Sequence, residues 1–261
     1  MKIRIIQRFF VRIAFIIWYK YVSRVDQKNE VLFLNYGYDS EDLHLELDGN
    51  DKTNEYQINL YYQLVSQIEL KNKVILEIGC GRGGGLNFIS NHFNVAAASG
   101  IDLTSDAISF CQKHYSLENV KYCMGDAHQL PFDNESFDVV INVESSHRYK
   151  KIVKFISEVK RVLKPEGFFL LTDFRTPEAY VMLKKLLDEG GFDLILEKDI
   201  TPNVLSALMK DDGRKRDLVN KLIPPYLKSI TLSFVGAIGS KTFLKFSEGE
   251  FVYYNFILRK R

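Results

Sequence analysis

The sequence predicts an α/β fold, a mostly parallel sheet with helices on both faces. Three observations carry that reading. Apolar runs that do not alternate, such as Lys73-Val74-Ile75-Leu76-Glu77-Ile78, recur between segments of helical periodicity, and strands apolar on both faces belong to covered parallel sheets. The first such run leads straight into a glycine-rich turn, Gly79 to Gly85. The chain closes with two apolar runs, 242–246 and 251–258, joined by Ser247-Glu248-Gly249, a link short enough to require antiparallel strands.

The elements follow in order. From Asn54 to Ile68, the residues Leu60, Tyr61, Leu64, Val65 and Ile68 share one helical face. The first strand ends at Ile78, and Leu86, Ile89 and Phe93 mark the helix after the glycine turn. Val95 to Ile101 is a second strand, ending at Asp102. Thr104 is placed to cap a helix whose Ile108, Cys111 and Tyr115 face inward. Residues 120–124 and 137–142 are the third and fourth strands. Ile152, Phe155, Val159 and Val162 mark a further helix, Lys164-Pro165-Glu166-Gly167 a turn, and residues 168–172 a fifth strand. A helix over 177–188, a strand over 193–197 and a helical stretch over 200–235 precede the closing pair.

Composition narrows the function classes. Of 261 residues, 46% are apolar and 26% charged, which excludes wholesale disorder. The net charge of +2 is unevenly spread: residues 1–25 hold Lys2, Arg4, Arg8, Arg12, Lys20 and Arg24 and no acid. The body is therefore mildly acidic, without the basic patch that nucleic-acid binders use. Three cysteines without a C-x-x-C pair argue against disulfides and a zinc ribbon and point to a reducing, cytoplasmic compartment. The five histidines are scattered, so no metal site is expected.

The basic N-terminal segment is too short of apolar residues to span a bilayer, since its longest uncharged stretch runs only from Ile13 to Tyr19. Arg4, Arg8 and Arg12 share one side of a helical wheel, and Trp18, Tyr19 and Tyr21 suit an interface. The segment reads as a helix lying on an anionic membrane surface, placing the protein peripherally on the inner face. A helix packed on the body, or on a second copy in a homodimer, is the competing reading.

In open parallel sheets ligands bind beyond the carboxyl ends of the strands. Asp102 ends the second strand, where a carboxylate can take both hydroxyls of a ribose. Asp126, in Gly125-Asp126-Ala127, follows the third and can accept from an adenine amino group. Glu77 sets an acid ahead of the glycines, which would repel a pyrophosphate but not an ammonium or a sulfonium.

At these residues the chain resembles a known family. VILEIGCGRGGG, GIDLT, GDAHQLPF, FDVVINVESSH and RVLKPEGFFLLTD, spread over 73–173, resemble a class I S-adenosylmethionine-dependent methyltransferase. FLNYGY at 33–38, NVESSHRY at 142–149 and the GS-x5-SEG of 239–249 narrow the resemblance to the small-molecule group that includes phthiotriolone, fatty-acid and rifamycin-type O-methyltransferases. The resemblance implies a Rossmann-like seven-stranded sheet with the last strand reversed. It does not cover the basic segment over 1–30, and it implies one catalytic domain over 31–261, with a cofactor half at 50–175 and an acceptor half with the closing strands at 176–261.

Carried onto this sequence, Gly79, Cys80 and Gly81 face the methionine part of S-adenosylmethionine, and Glu77 helps to orient it. Asp102 binds ribose with Leu103 against the adenine, Asp126 and Ala127 contact adenine, and the Asn142 backbone lies near the sulfonium. His147, just past the fourth strand, is the candidate general base, because imidazole titrates near neutrality. Asp173 is placed to fix its tautomer from the next strand. Tyr36 either closes over the cofactor or staples the N-terminal helix. The expected reaction is methyl transfer to a hydroxyl or carboxyl oxygen of a small apolar acceptor, lipid or polyketide-like. N- or C-methylation and a NAD-dependent oxidation are the alternatives.

Overall fold

The computed structural model describes residues 21–22, 24–26 and 28–261; the basic segment predicted over 1–30 lies outside the described residues for its first twenty positions. Seven strands form one sheet among the described residues: β1 (Val74–Ile78), β2 (Ala97–Asp102), β3 (Val120–Met124), β4 (Phe137–Val143), β5 (Leu163–Arg175), β6 (Phe192–Asp199) and β7 (Val252–Lys260). Their order is β3-β2-β1-β4-β5-β7-β6. β1 pairs in parallel with both β2 and β4, so the strand order reverses beside it and opens a crevice at its carboxyl end.

The apolar strands are buried on both sides. Ile75 packs into one core and its neighbour Leu76 into the other, and both are wholly buried. The first core is covered by α2 (Glu55–Val65), α3 (Gly84–His92) and α4 (Ser105–His114), with the short α1 (Gly49–Thr53) leading in. The second is covered by α5 (Ile152–Val162) and α6 (Pro177–Glu189), through residues such as Phe155, Val159 and Leu183. Burying each such side chain contributes about 1.5–3 kcal/mol. Between β6 and β7 the chain builds a helical cap from α7 (Thr201–Lys210), α8 (Asp212–Leu222), α9 (Pro225–Phe234) and α10 (Lys241–Ser247). No helix among the described residues is long and apolar enough to cross a membrane.

Two sequence expectations need correction. The run 242–246 is not a strand but α10. Ser240 caps it by accepting from the Phe243 N–H, and Phe246 is buried while Leu244, two residues earlier, is 43% exposed. The reversed strand remains, but β7 pairs antiparallel with β5 and β6 rather than with the run 242–246. The Thr104 side chain does not cap α4 either. Its hydroxyl donates to Asp102 Oδ1 at 2.8 Å, so it serves the strand end instead.

Candidate active site

Directly after β1 the backbone turns where only glycine fits. Gly79 has φ of +77°, and a Cβ there would lie 2.5 Å from Ser145 Oγ. The N–H groups of Gly79 and Cys80 donate to the Ile101 carbonyl, at 2.7 and 3.1 Å, and the Gly81 N–H donates to Asp102 Oδ2 at 3.1 Å. The turn is thus sewn to the end of β2. Cys80 offers a ligand its backbone only, because its thiol is buried against Cys111.

Three acids bracket this turn. Glu77 is buried; Tyr61 donates to its Oε1 at 2.7 Å, while Oε2 has no partner among the described residues. Burial, with the Asp102 charge adding, pushes its carboxyl up to about 7 against the pull of the Tyr61 bond and of the Leu86 backbone N–H. Asp102 Oδ1 accepts from the Thr104 N–H and hydroxyl. Asp126 lies beyond β3 beside Ala127, with its side chain half exposed and its Oδ1 2.6 Å from His128 Nδ1. Leu103 and Met124 expose large apolar side chains at the same strand ends, a surface suited to a flat base.

The second cluster grows from the loop after β4. Asn142 is wholly buried, and its Nδ2 donates to the Ile78 carbonyl at 2.8 Å and to Ser145 Oγ at 2.7 Å, joining β1, β4 and the loop. Its Oδ1 has no partner among the described residues. A single 3-10 turn, Ser146–Arg148, then presents His147. The His147 Nδ1 lies 2.7 Å from Asp173 Oδ1, on β5. Asp173 Oδ2 accepts from Ser146 Oγ at 2.5 Å and from the His147 backbone N–H at 2.8 Å.

These contacts settle the protonation. Burial alone would raise the Asp173 carboxyl, but His147, Arg175 and the Ser146 bond outweigh it and hold the group well below the usual carboxylate range. Burial lowers the His147 imidazole below its ordinary value, with Arg148 and Arg175 adding and Asp173 opposing. Nδ1 therefore carries the proton that Asp173 accepts, and Nε2 offers a lone pair, which accepts from Arg148 Nε at 3.0 Å. The imidazole rests against Phe174, with ring centroids 4.3 Å apart.

Tyr36 closes this end. Its buried ring packs on Phe174 and Phe246, and its backbone N–H donates to Glu144 Oε1 at 2.7 Å. Glu144 also accepts from Tyr253, at 2.8 Å, and burial pushes it up to about 8. Sequence reasoning missed Glu144, Ser145, Ser146, Arg148 and His128. The one available signal was the polar run Glu144 to Arg148 after a strand with no other charge beyond Asp138. Beside Tyr36, an apolar pocket opens between the chain at 31–36 and the cap, lined by Val31, Phe33, Leu34, Leu218, Ile223 and Phe234.

A glycine turn preceded by a buried acid, a carboxylate at the end of β2 and a reversed β7 are together the features of an S-adenosylmethionine-dependent methyltransferase rather than a dinucleotide enzyme. The residues fit that cofactor: Glu77 Oε2, without a partner among the described residues, suits the methionine ammonium, and Gly79 and Gly81 take the positive φ that brings the turn back to the end of β2. Residues 76–171 match the family described as "Methyltransferase domain". The chain is 34% identical over 237 residues to a phthiotriol/phenolphthiotriol dimycocerosates methyltransferase of Mycobacterium leprae, covering 90% of this chain and 88% of that one. It is 35% identical over 211 residues to a fatty-acid O-methyltransferase of Mycolicibacterium smegmatis, covering 80% and 77%. The chain belongs to this methyltransferase family. In fold it also resembles geranyl diphosphate C-methyltransferase from Streptomyces coelicolor A3(2), with a TM-score of 0.67, 14% identity and coverage of 94% and 98%.

Proposed function

We propose that this methyltransferase transfers its methyl group to a hydroxyl oxygen of a lipid-like acceptor, with His147 as general base and Asp173 as its orienting partner. The 2.7 Å contact between His147 Nδ1 and Asp173 carries the reading, because it leaves Nε2 as the basic nitrogen, held at rest by Arg148, whose guanidinium lies over Phe234 of the apolar pocket. The names of the relatives, a lipid and a fatty-acid methyltransferase, support an apolar acceptor.

Glu77, the Gly79–Gly81 backbone and Asp102 would hold the methionine and ribose parts, Leu103 would lie against the adenine, and Asp126 with Ala127 would face its edge. Bound there, S-adenosylmethionine supplies an electrophilic methyl carbon. The chain's own task is to place the acceptor oxygen in line and take its proton. The acceptor hydroxyl takes the place of Arg148 Nε on His147 Nε2, which then receives the hydroxyl proton. Asp173, held ionised, stabilises the imidazolium that forms. Tyr36 and Phe174 keep water from the imidazole face. A carboxyl acceptor would use the same pocket without needing the base.

The test is to incubate the full chain with isotope-labelled S-adenosylmethionine and fractionated bacterial lipids, and to identify labelled products by mass spectrometry. Label in ethers of lipid hydroxyls is the expected result. Label found only on nitrogen or carbon would contradict the proposal.

A further inference from the structure

Lys215 sits on α8 among the residues that line the apolar pocket, and it is buried. A lysine is rarely buried unless it is paired. Here the pairing is thin. Its Nζ makes one hydrogen bond, 3.4 Å to the Tyr36 carbonyl, and stands 3.8 Å from Asp211 Oδ2. Asp211 is already served. Arg214 holds it through Nε and Nη2, each at 2.6 Å, and Gln57 donates to it at 2.9 Å. Asp212 is taken by Arg216, at 2.7 Å. Glu30, which also lines the pocket, pairs with Lys221. From the catalytic loop, Glu144 faces Lys215 but is engaged by the Tyr36 N–H and the Tyr253 hydroxyl. Of the two cations that line this mostly apolar pocket, Arg214 is held by Asp211 and Gln57, whereas Lys215 keeps hydrogen-bonding capacity that these neighbours do not use.

We infer that Lys215 is the specificity residue of the acceptor pocket and takes a carboxylate, so that the acceptor is a long-chain hydroxy acid. The inference rests on the hydroxyl-methylation reading above: the hydroxyl lies at His147, the acid at Lys215, and Tyr36 stands between, bound through its carbonyl to Lys215 and through its ring to Phe174 and so to His147. A carboxylate brings one negative charge and two acceptor oxygens, which matches one ammonium. A phosphate, with close to two charges and three strong acceptor oxygens, would be under-served by it.

Burial pushes the Lys215 ammonium down to about 8, with Arg214 adding and Asp211 and Glu144 opposing. Carboxylate binding should therefore weaken as pH rises through that value and the ammonium empties.

The experiment measures binding of decanoate and of methyl decanoate to the full-length protein by calorimetry. At pH 7 decanoate is expected to bind at least about tenfold more tightly, as charge-assisted hydrogen bonds in apolar surroundings imply. The preference should fade by pH 9 and vanish in Lys215→Met. Equal affinity for acid and ester, or a preference that survives in Lys215→Met or at pH 9, would overturn the inference. The acid–ester comparison needs only the native chain, so it decides the matter even if Lys215→Met fails to fold. A His147→Ala protein that keeps the preference for decanoate separates this inference from the general-base reading, which that binding does not involve.

Discussion

At the β1–β2–β3 end of the sheet, the groups we propose for the cofactor are a glycine turn and acids within a few residues of a strand end. On the acceptor side, over β4, β5 and the cap, the site is assembled from residues far apart in the chain. Tyr36 and Glu144 are 108 positions apart, and Tyr36 and Lys215 are 179 apart. The cofactor side is also nearer to water, with Leu103 and Met124 exposed, whereas the acceptor side buries Tyr36, Asp173 and Lys215. The difference teaches that a shared cofactor needs a local, repeatable cradle, while an acceptor is selected by packing and by a few buried charges.

The sharpest way to break this comparison is to damage one side and read the other. His147→Ala should lower methyl transfer by about 10²–10⁴-fold, the usual cost of losing a general base, while S-adenosylmethionine affinity stays within twofold of about its native value. Rate assays beside calorimetry check it, and a parallel loss of affinity would mean that the two sides are not separable. Next in size, Asp102→Ala should weaken cofactor binding by at least about tenfold while acid binding at the pocket is unchanged. Unchanged cofactor affinity would show that the end of β2 does not hold the ribose.

A third effect follows from Glu77, raised to about 7 in the free protein. A bound ammonium favours the ionised carboxyl, so affinity is full above that value and falls as the group takes up a proton. S-adenosylmethionine should bind roughly tenfold more weakly at pH 6 than at pH 8, and Glu77→Gln should flatten that dependence. The smallest effect concerns the basic N-terminus. We propose that it delivers the enzyme to anionic membrane, where each basic residue contributes about 1 kcal/mol at low salt. Removing residues 1–20, which leaves the Val22 contact with Val219 and Ile223 in place, should abolish flotation with anionic vesicles and leave cofactor affinity intact. Full-length protein that ignores such vesicles at low salt would end that proposal.

What was legible in the sequence follows the same division. The glycine turn, Glu77, Asp102 and the β1–β5 succession are read from short runs, because β1, β4 and β5 are apolar on both faces and the acids stand at or near strand ends. His147 and Asp173 were legible as a pair from their places at two neighbouring strand ends, with the family resemblance in support, and the structure brings them into contact. Glu144 and Lys215 left no local mark, since a charged residue on a loop or a cap helix is ordinarily solvated and only tertiary packing buries it. The run 242–246 misled for a related reason: five residues rich in apolar side chains fit either period, and it is Ser240 and the burial of Phe246 that make them a helix.

The central claim is a neutral His147 acting as base, and the most direct measurement is the pH dependence of kcat/KM for the acceptor with S-adenosylmethionine saturating, which removes the Glu77 titration. The imidazole is lowered from its ordinary value and acts only when unprotonated. The account predicts a rate that is level from neutral pH upward and falls as pH drops through a midpoint below about 6.5, the ordinary histidine value. A rate that is flat down to the acid limit of stability, or a midpoint above that value, would contradict it.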